Sequence, residues 1–303
     1  MHDSVTLHAG DAVVEVVPRI GGSLASFRWR GVDVLRPAPE DAVASADVRR
    51  MASYPLVPYS NRIANATLHL ADGTSYALAR NLGDHPHAIH GVGWQRPWAL
   101  EQASNGHCTI SLAHRPDGEL AAAWPFAFDA MQSFALVAGE HDAALTMSLA
   151  IVNASPVAFP FGLGFHPFFS RDGATRLGFR AASMWETDAT LLPTREQRGQ
   201  APFDPPCTIG DTTLDNAFSG WSGDATLEWP GGARVRIDAD RMLDHLVVYI
   251  PPDRDFLAVE PVTHMTDAFN RDARGLPHTG TRHLPPGQSR SCTMRIVATL
   301  PSG

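Results

Sequence analysis

Charge is scarce in this sequence. Asp, Glu, Lys and Arg together make up 18% of the 303 residues, and the balance is acidic, with a formal net charge of −8. A protein that grips a nucleic-acid backbone needs a basic stripe, so nucleic acid is not an expected partner. Cysteine is scarce too. Cys108, Cys207 and Cys292 are odd in number, lie far apart and form no CxxC pair, which argues against a disulfide framework and predicts a reduced, cytoplasmic setting. Long apolar runs are missing: none approaches the ~18 residues of a membrane span. The opening MHDSVTLHAG has neither a basic start nor an apolar stretch and does not read as a signal peptide. Long helical patterns are missing as well.

What is present is β-sheet patterning. Hydrophobic residues reach 44%, enough for a sizeable core and too many for a disordered chain. Gly and Pro, 25 and 24 of them, punctuate the whole length. Between them stand short β-branched and aromatic runs at 12–17, 109–113, 131–137, 145–152, 234–239, 246–250, 256–260 and 293–300. Several alternate with the period of two that half-buried strands require. The pattern predicts an all-β fold, a large antiparallel β-sandwich of two packed sheets, as one domain over 1–303. A helical turn or two is expected at 41–52, and long loops at 193–220 and 268–291.

Four segments carry candidate chemistry. In Phe161-Gly162-Leu163-Gly164-Phe165-His166-Pro167, read as one strand, Phe161, Leu163 and Phe165 share a face and Gly162, Gly164 and His166 the other. One face packs. The other is bare up to a single imidazole, and strand glycines often mark close approach by a ligand or by another backbone. The competing reading is a sharp bend with His166 hydrogen-bonded in the core. In Phe256-Leu257-Ala258-Val259-Glu260-Pro261 the carboxyl closes an apolar strand. Such surroundings disfavour its charged form and raise its basicity, as a general base needs; an edge glutamate paired with an arginine is the alternative. Prolines after both His166 and Glu260 hold these residues extended.

In Pro55–Ile63, PLVPYSNRI, Arg62 brings a planar fork of donors suited to sugar oxygens; it could equally be a surface ion-pair partner. The segment 83–94, GDHPHAIHGVGW, offers His85, His87 and His90. Three imidazoles invite a metal reading, but the glutamate that a cupin-type site would add is missing, so no metal is assigned. His90 is the better candidate for a sugar contact. Asp215, in Leu214–Phe218, supplies a carboxylate in a long polar loop, where most Asp residues only form turns.

Taken in order, these segments resemble the aldose 1-epimerase (galactose mutarotase-like) family. The likeness runs from Gly21–Phe27 through Asn61-Arg62-Ile63, His90-Gly91 with Trp94 and Trp98, Gly164–Phe169, Val259-Glu260-Pro261 and Thr266–Asn270 to Leu284-Pro285-Pro286-Gly287. It implies a single-domain β-supersandwich and a cofactor-independent isomerase acting on a small-molecule sugar. It also implies His166 as general acid, Glu260 as general base, Asn61, Arg62 and His90 as sugar-binding residues, and Asp215 as a substrate-contacting aspartate. The chain departs from the family pattern around the acid. Phe165 stands for Asn, Phe168 for Tyr and Ser170 for a second Asn, and apolar Val247 falls where a substrate-contacting glutamine is usual. The hydroxyl-reading shell therefore differs, and galactose or glucose is not implied. Three alternatives remain at this point. One is a hexose-phosphate epimerase, for which Arg254, Arg271 and Arg274 would be phosphate ligands. The others are a non-catalytic carbohydrate-binding module and a metal enzyme built on His85, His87 and His90.

Overall fold

The computed structural model describes residues 4–199 and 201–301. Two large antiparallel sheets form its frame. The first has nine strands, in the order Ala99–Ala103, His107–His114, Phe128–Ala138, Asp142–Asn153, Ser289–Thr299, Arg234–Ala239, Asp224–Glu228, Arg176–Phe179 and Cys207–Thr208. The second has eight. Its path runs Pro193–Arg198, Ser183–Thr187, Leu214–Ser219, His245–Ile250, Phe256–Val262, Gly164–Phe165 and Pro55–Leu56, and Phe168–Ser170 also pairs with Phe256–Val262. A four-stranded sheet from Val5–Ala9 to Val32–Asp33 stands beside them. One apolar cluster draws from all three, with Phe134, Leu145 and Ile296 from the first, Phe218, Leu246 and Leu257 from the second and Leu7 and Phe27 from the third.

Alternation explains the strands. Phe128–Ala138 buries Phe128, Ala130, Gln132, Phe134 and Leu136 while the residues between them are half-buried or exposed. Side chains that alternate across a pleat leave one wet face and one dry one. Seven of the eight runs expected as strands fall within strands, and the eighth, 293–300, overruns the strand Ser289–Thr299 by one residue. The helical turns expected at 41–52 are a helix at Glu40–Ser45 and a 3-10 turn at Val48–Arg50.

The two long loops are corrections. The span 193–220 holds the strands Pro193–Arg198, Cys207–Thr208 and Leu214–Ser219, so Asp215 sits on a strand rather than in a loop. Polar side chains such as Arg195 and Gln197 hid this strand pairing. The span 268–291 holds a helix, Ala268–Ala273, and the strand Arg282–Leu284.

Candidate active site

The segment 161–169, expected as one strand, is divided among three short ones: Phe159–Phe161, Gly164–Phe165 and Phe168–Ser170. Its glycines serve packing rather than ligand approach. A Cβ on Gly162 would lie 2.1 Å from His264 Cδ2, and one on Gly164 would lie 2.8 Å from Val262 Cγ1. The backbone of this segment is pinned to the chain at 52–58. His166 N donates to Tyr54 O at 3.0 Å, and Phe168 N donates to Ala52 O at 2.9 Å.

Register then brings the chemistry together. Gly164 pairs with Val262, and Phe168 pairs with Ala258. The same register on both sides sets position 166 opposite position 260. The imidazole Nε2 and the carboxylate Oε1 meet at 3.2 Å, and both residues are buried. The side chains line a cavity of about 330 Å³ together with Asn61, Arg62, His90 and Asp215. All six residues singled out in the sequence therefore share one cavity.

Electrostatics follow from burial. Desolvation pushes the Glu260 carboxyl well above its usual range, with Asp215 adding to the effect and Arg62 opposing it. It holds the His166 imidazole down, to about 3. Two groups in direct contact titrate as one unit, and both directions favour a single proton shared between them. Glu260 Oε2 and His166 Nδ1 are buried without a hydrogen-bond partner among the described residues, an arrangement that leaves polar atoms open to a polar ligand.

The four residues expected to contact a sugar are locked to one another. Arg62 Nη2 reaches Asp215 Oδ2 at 3.0 Å, and Arg62 Nη1 donates to Asn61 Oδ1 at 2.9 Å. Asn61 N donates to His90 Nδ1 at 3.0 Å, and His90 N donates back to Asn61 O at 2.9 Å. Asn61 and His90 both hold positive φ, 54° and 60°. Left-handed backbone at non-glycine residues costs energy and gathers at functional sites. Asp267 supports this unit from behind: its backbone N–H donates to Arg62 O, and its Oδ1 accepts from Ala64 N.

The same bonds bear on the metal reading. Nδ1 of His90 accepts from Asn61 N, Nδ1 of His87 from Asn65 N and Nδ1 of His85 from His87 N. A backbone N–H only donates, so in each neutral ring the proton sits on Nε2 and makes that nitrogen a donor. The three are thus not a ligand set. His90, His166 and Glu260 do converge, with donor atoms within 4.8 Å of one another, yet the free nitrogen of His90 carries its proton and offers a hydrogen bond, not a lone pair.

Other wall residues escaped sequence reading: Arg49, Tyr54, Leu82, Leu191 and Tyr249. One signal was available for Tyr249. It lies two positions beyond Val247 on the same strand and pairs with Asp215. Val247 itself is buried and pairs with Glu260. The arginines weighed as phosphate ligands lie elsewhere. Arg271 stacks on Trp185 and Arg274 pairs with Asp267. Arg254 lines a separate cavity with Asp211, Asp253 and Asp255.

Comparison with known proteins gives a consistent result. The family model for aldose 1-epimerase matches residues 3–297. The uncharacterized protein YphB of Escherichia coli K12 is 26% identical over 96% of this chain and 97% of its own. The crystal structure of a candidate aldose 1-epimerase from Escherichia coli K12 superposes with a TM-score of 0.86 at 24% identity, covering 98% of this chain and 99% of that one. That of a galactose mutarotase-like protein from Clostridium acetobutylicum gives 0.84 at 19%, covering 99% and 96%. At these identities the structural likeness concerns the fold.

Proposed function

Because the chain belongs to the aldose 1-epimerase family, we propose that it interconverts the α and β anomers of a free aldose, with His166 and Glu260 as acid and base. The observation that carries this reading is the 3.2 Å contact between the two groups on the wall of the cavity they share with Asn61, Arg62, His90 and Asp215. A hemiacetal presents its C1 hydroxyl and its ring oxygen on one carbon, so two groups this close can address both at once.

Glu260 takes the proton of the C1 hydroxyl as the oxygen's electrons form the carbonyl. The C1–O5 bond breaks, its pair passes to O5, and His166 supplies the proton that O5 needs. The C1–C2 bond turns, the ring closes on the other face and each proton goes back. The pair thus holds one proton throughout: burial favours its neutral arrangement, and the closed ring reacts with the less favoured charge-separated one, which becomes neutral as the ring opens. Burial disfavours the separated charges, which drives the proton toward the sugar. Acid–base catalysis of this kind supplies roughly 10² to 10⁴ in rate. Arg62, fixed by Asn61 and Asp215, and the donor nitrogen of His90 orient the ring, and orientation adds further acceleration. In this reading residues 1–303 act as one catalytic domain.

A free sugar fits better than a phosphorylated one. Of the two arginines on the cavity wall, Arg62 is engaged by Asp215, and Arg49 bonds Asp47 at 3.3 Å. Phosphate clamps use several unengaged cations. The test is anomer exchange, followed by polarimetry, over a panel of neutral hexoses and pentoses with glucose 6-phosphate alongside. Exchange of a neutral aldose is the expected result. Exchange of the phosphate ester alone, or of none, overturns the proposal.

A further inference from the structure

His166 sits in a cluster of rings in which Phe168 and Tyr54 also approach each other, their centroids 6.0 Å apart at 55°. The His166 ring lies 4.5 Å from that of Phe168 at 29° and 4.6 Å from that of Tyr54 at 35°. Tyr54 in turn stacks on Trp94, at 5.7 Å and 28°. The Arg36 guanidinium lies 4.5 Å from the centre of the Phe168 ring and 4.3 Å from that of Phe256. Arg36 is not part of the cavity wall. Its backbone N–H nevertheless donates to Phe168 O at 2.9 Å, so the residue clamps the ring it covers. Its Nε is buried without a partner, and Nη2 has one long bond, 3.4 Å to Met51 O. Its hydrogen bonds among the described residues do not explain why a guanidinium sits there; the Phe168 and Phe256 rings do.

We propose that Arg36 is a positioning residue for the acid: through Phe168 it fixes the plane of the His166 imidazole and stations a permanent positive charge against the ring that packs on it, making His166 a readier proton donor to the ring oxygen. The proposal rests on the epimerase reading above. Four charged or titratable groups face the imidazole: Glu260 from its partner strand, His90 from the 88–93 loop, the Tyr54 hydroxyl and Arg36. Of these, Arg36 is the one whose charge is fixed and of the sign that repels a proton. Asp255 and Arg50 act on Arg36 itself. The direction of the His166 shift agrees, since Arg36 lowers it after burial does.

Arg36→Met tests this, with Arg36→Lys beside it, in anomer exchange measured from acid to alkaline pH. Removing the charge lets the His166–Glu260 unit hold its protons more tightly. The pH–kcat profile of Arg36→Met then moves up by about 0.5 to 1 pH unit, and kcat falls more than KM changes. Arg36→Lys keeps the charge and restores the profile midpoint. A purely structural role would lower kcat without moving the profile, and that outcome, or an unchanged enzyme, overturns the proposal. If Arg36→Met does not fold, Phe168→Leu carries the test by removing the ring that Arg36 covers. A pH–kcat profile moved up by about 0.5 pH unit or more supports the proposal, and a kcat loss with an unmoved profile, or an unchanged enzyme, overturns it. A wild-type protein that exchanges no aldose refutes the epimerase reading; an active wild type with an unmoved Arg36→Met profile refutes only this inference.

Discussion

His166 and Glu260 are cross-strand neighbours: the pairings of Gly164 with Val262 and of Phe168 with Ala258 bracket them in one register, and their side chains touch at 3.2 Å. A slip of one residue in that register would send one of the two to the opposite face of the sheet. The proposed catalytic pair is therefore as secure as the strand pairing, and the pinning bonds from His166 and Phe168 to the 52–54 backbone keep that pairing in place.

The pH dependence of activity follows from the shared proton. The unit works while it holds one proton. A second proton removes the base, and loss of the last removes the acid. Anomer exchange is thus expected to give a bell-shaped pH–kcat profile, checked by initial rates from about pH 4 to 9. A monotonic profile over that range contradicts the pairing.

Stability should depend on pH in a way that Glu260→Gln reverses. The folded chain holds the Glu260 proton more tightly than the unfolded chain does. Stability from this group is present at low pH and lost as pH rises through its raised value. His166 runs the other way. Its imidazole is held down to about 3, against an ordinary 6.5, so stability lost at low pH is recovered as pH rises between those values. Above 6.5 the glutamate's slope stands alone. Glu260→Gln removes it, and the variant's melting temperature should gain on the wild type between about pH 7 and 8.5. A difference that stays constant would show that Glu260 is charged on both sides of that range.

Arg62 and Asp215 form a unit whose loss should appear in binding. Arg62→Ala leaves Asp215 and Asn61 without their partner. A charge-assisted contact is worth about 1.5–3 kcal/mol, so KM should rise on the order of ten- to a hundredfold, with kcat affected less. Steady-state kinetics checks this. A loss confined to kcat would move Arg62 from orientation to the reacting atoms.

The imidazole tautomers make a prediction about metal. With Nδ1 of His85, His87 and His90 each accepting a backbone N–H, purified protein should carry no stoichiometric transition metal, and chelator treatment should leave activity unchanged. Elemental analysis before and after chelation decides. One equivalent of zinc, lost together with activity, would mean that the Asn61–His90 bond breaks in solution.

Much of the fold was legible in the sequence because period-two alternation marks strands with one wet face. It failed where polar side chains fill a strand, as in Pro193–Arg198, and where a strand is too short to show a period, as in Gly164–Phe165. Among site residues, Glu260 stood out because a carboxyl closing an apolar strand is costly. His166 stood out because glycines and a proline surround it, although those glycines turned out to make room for His264 and Val262 rather than for a ligand. Arg36, Tyr54 and Arg49 were not legible. Their relation to His166 or to the cavity comes from packing between distant segments, which no local pattern records. The metal reading of the three histidines could not be resolved from spacing either, because hydrogen bonds from Asn61 and Asn65 bear on it.

The sharpest single measurement is the anomer exchange rate, by two-dimensional exchange NMR, of wild type, His166→Asn, Glu260→Gln and the double variant on one accepted aldose. Residues that act as a unit lose their effect together. The account predicts that each single variant falls roughly 10²- to 10⁴-fold and that the double variant falls little further. Exchange by Glu260→Gln within about threefold of wild type, or losses that multiply in the double variant, would contradict it.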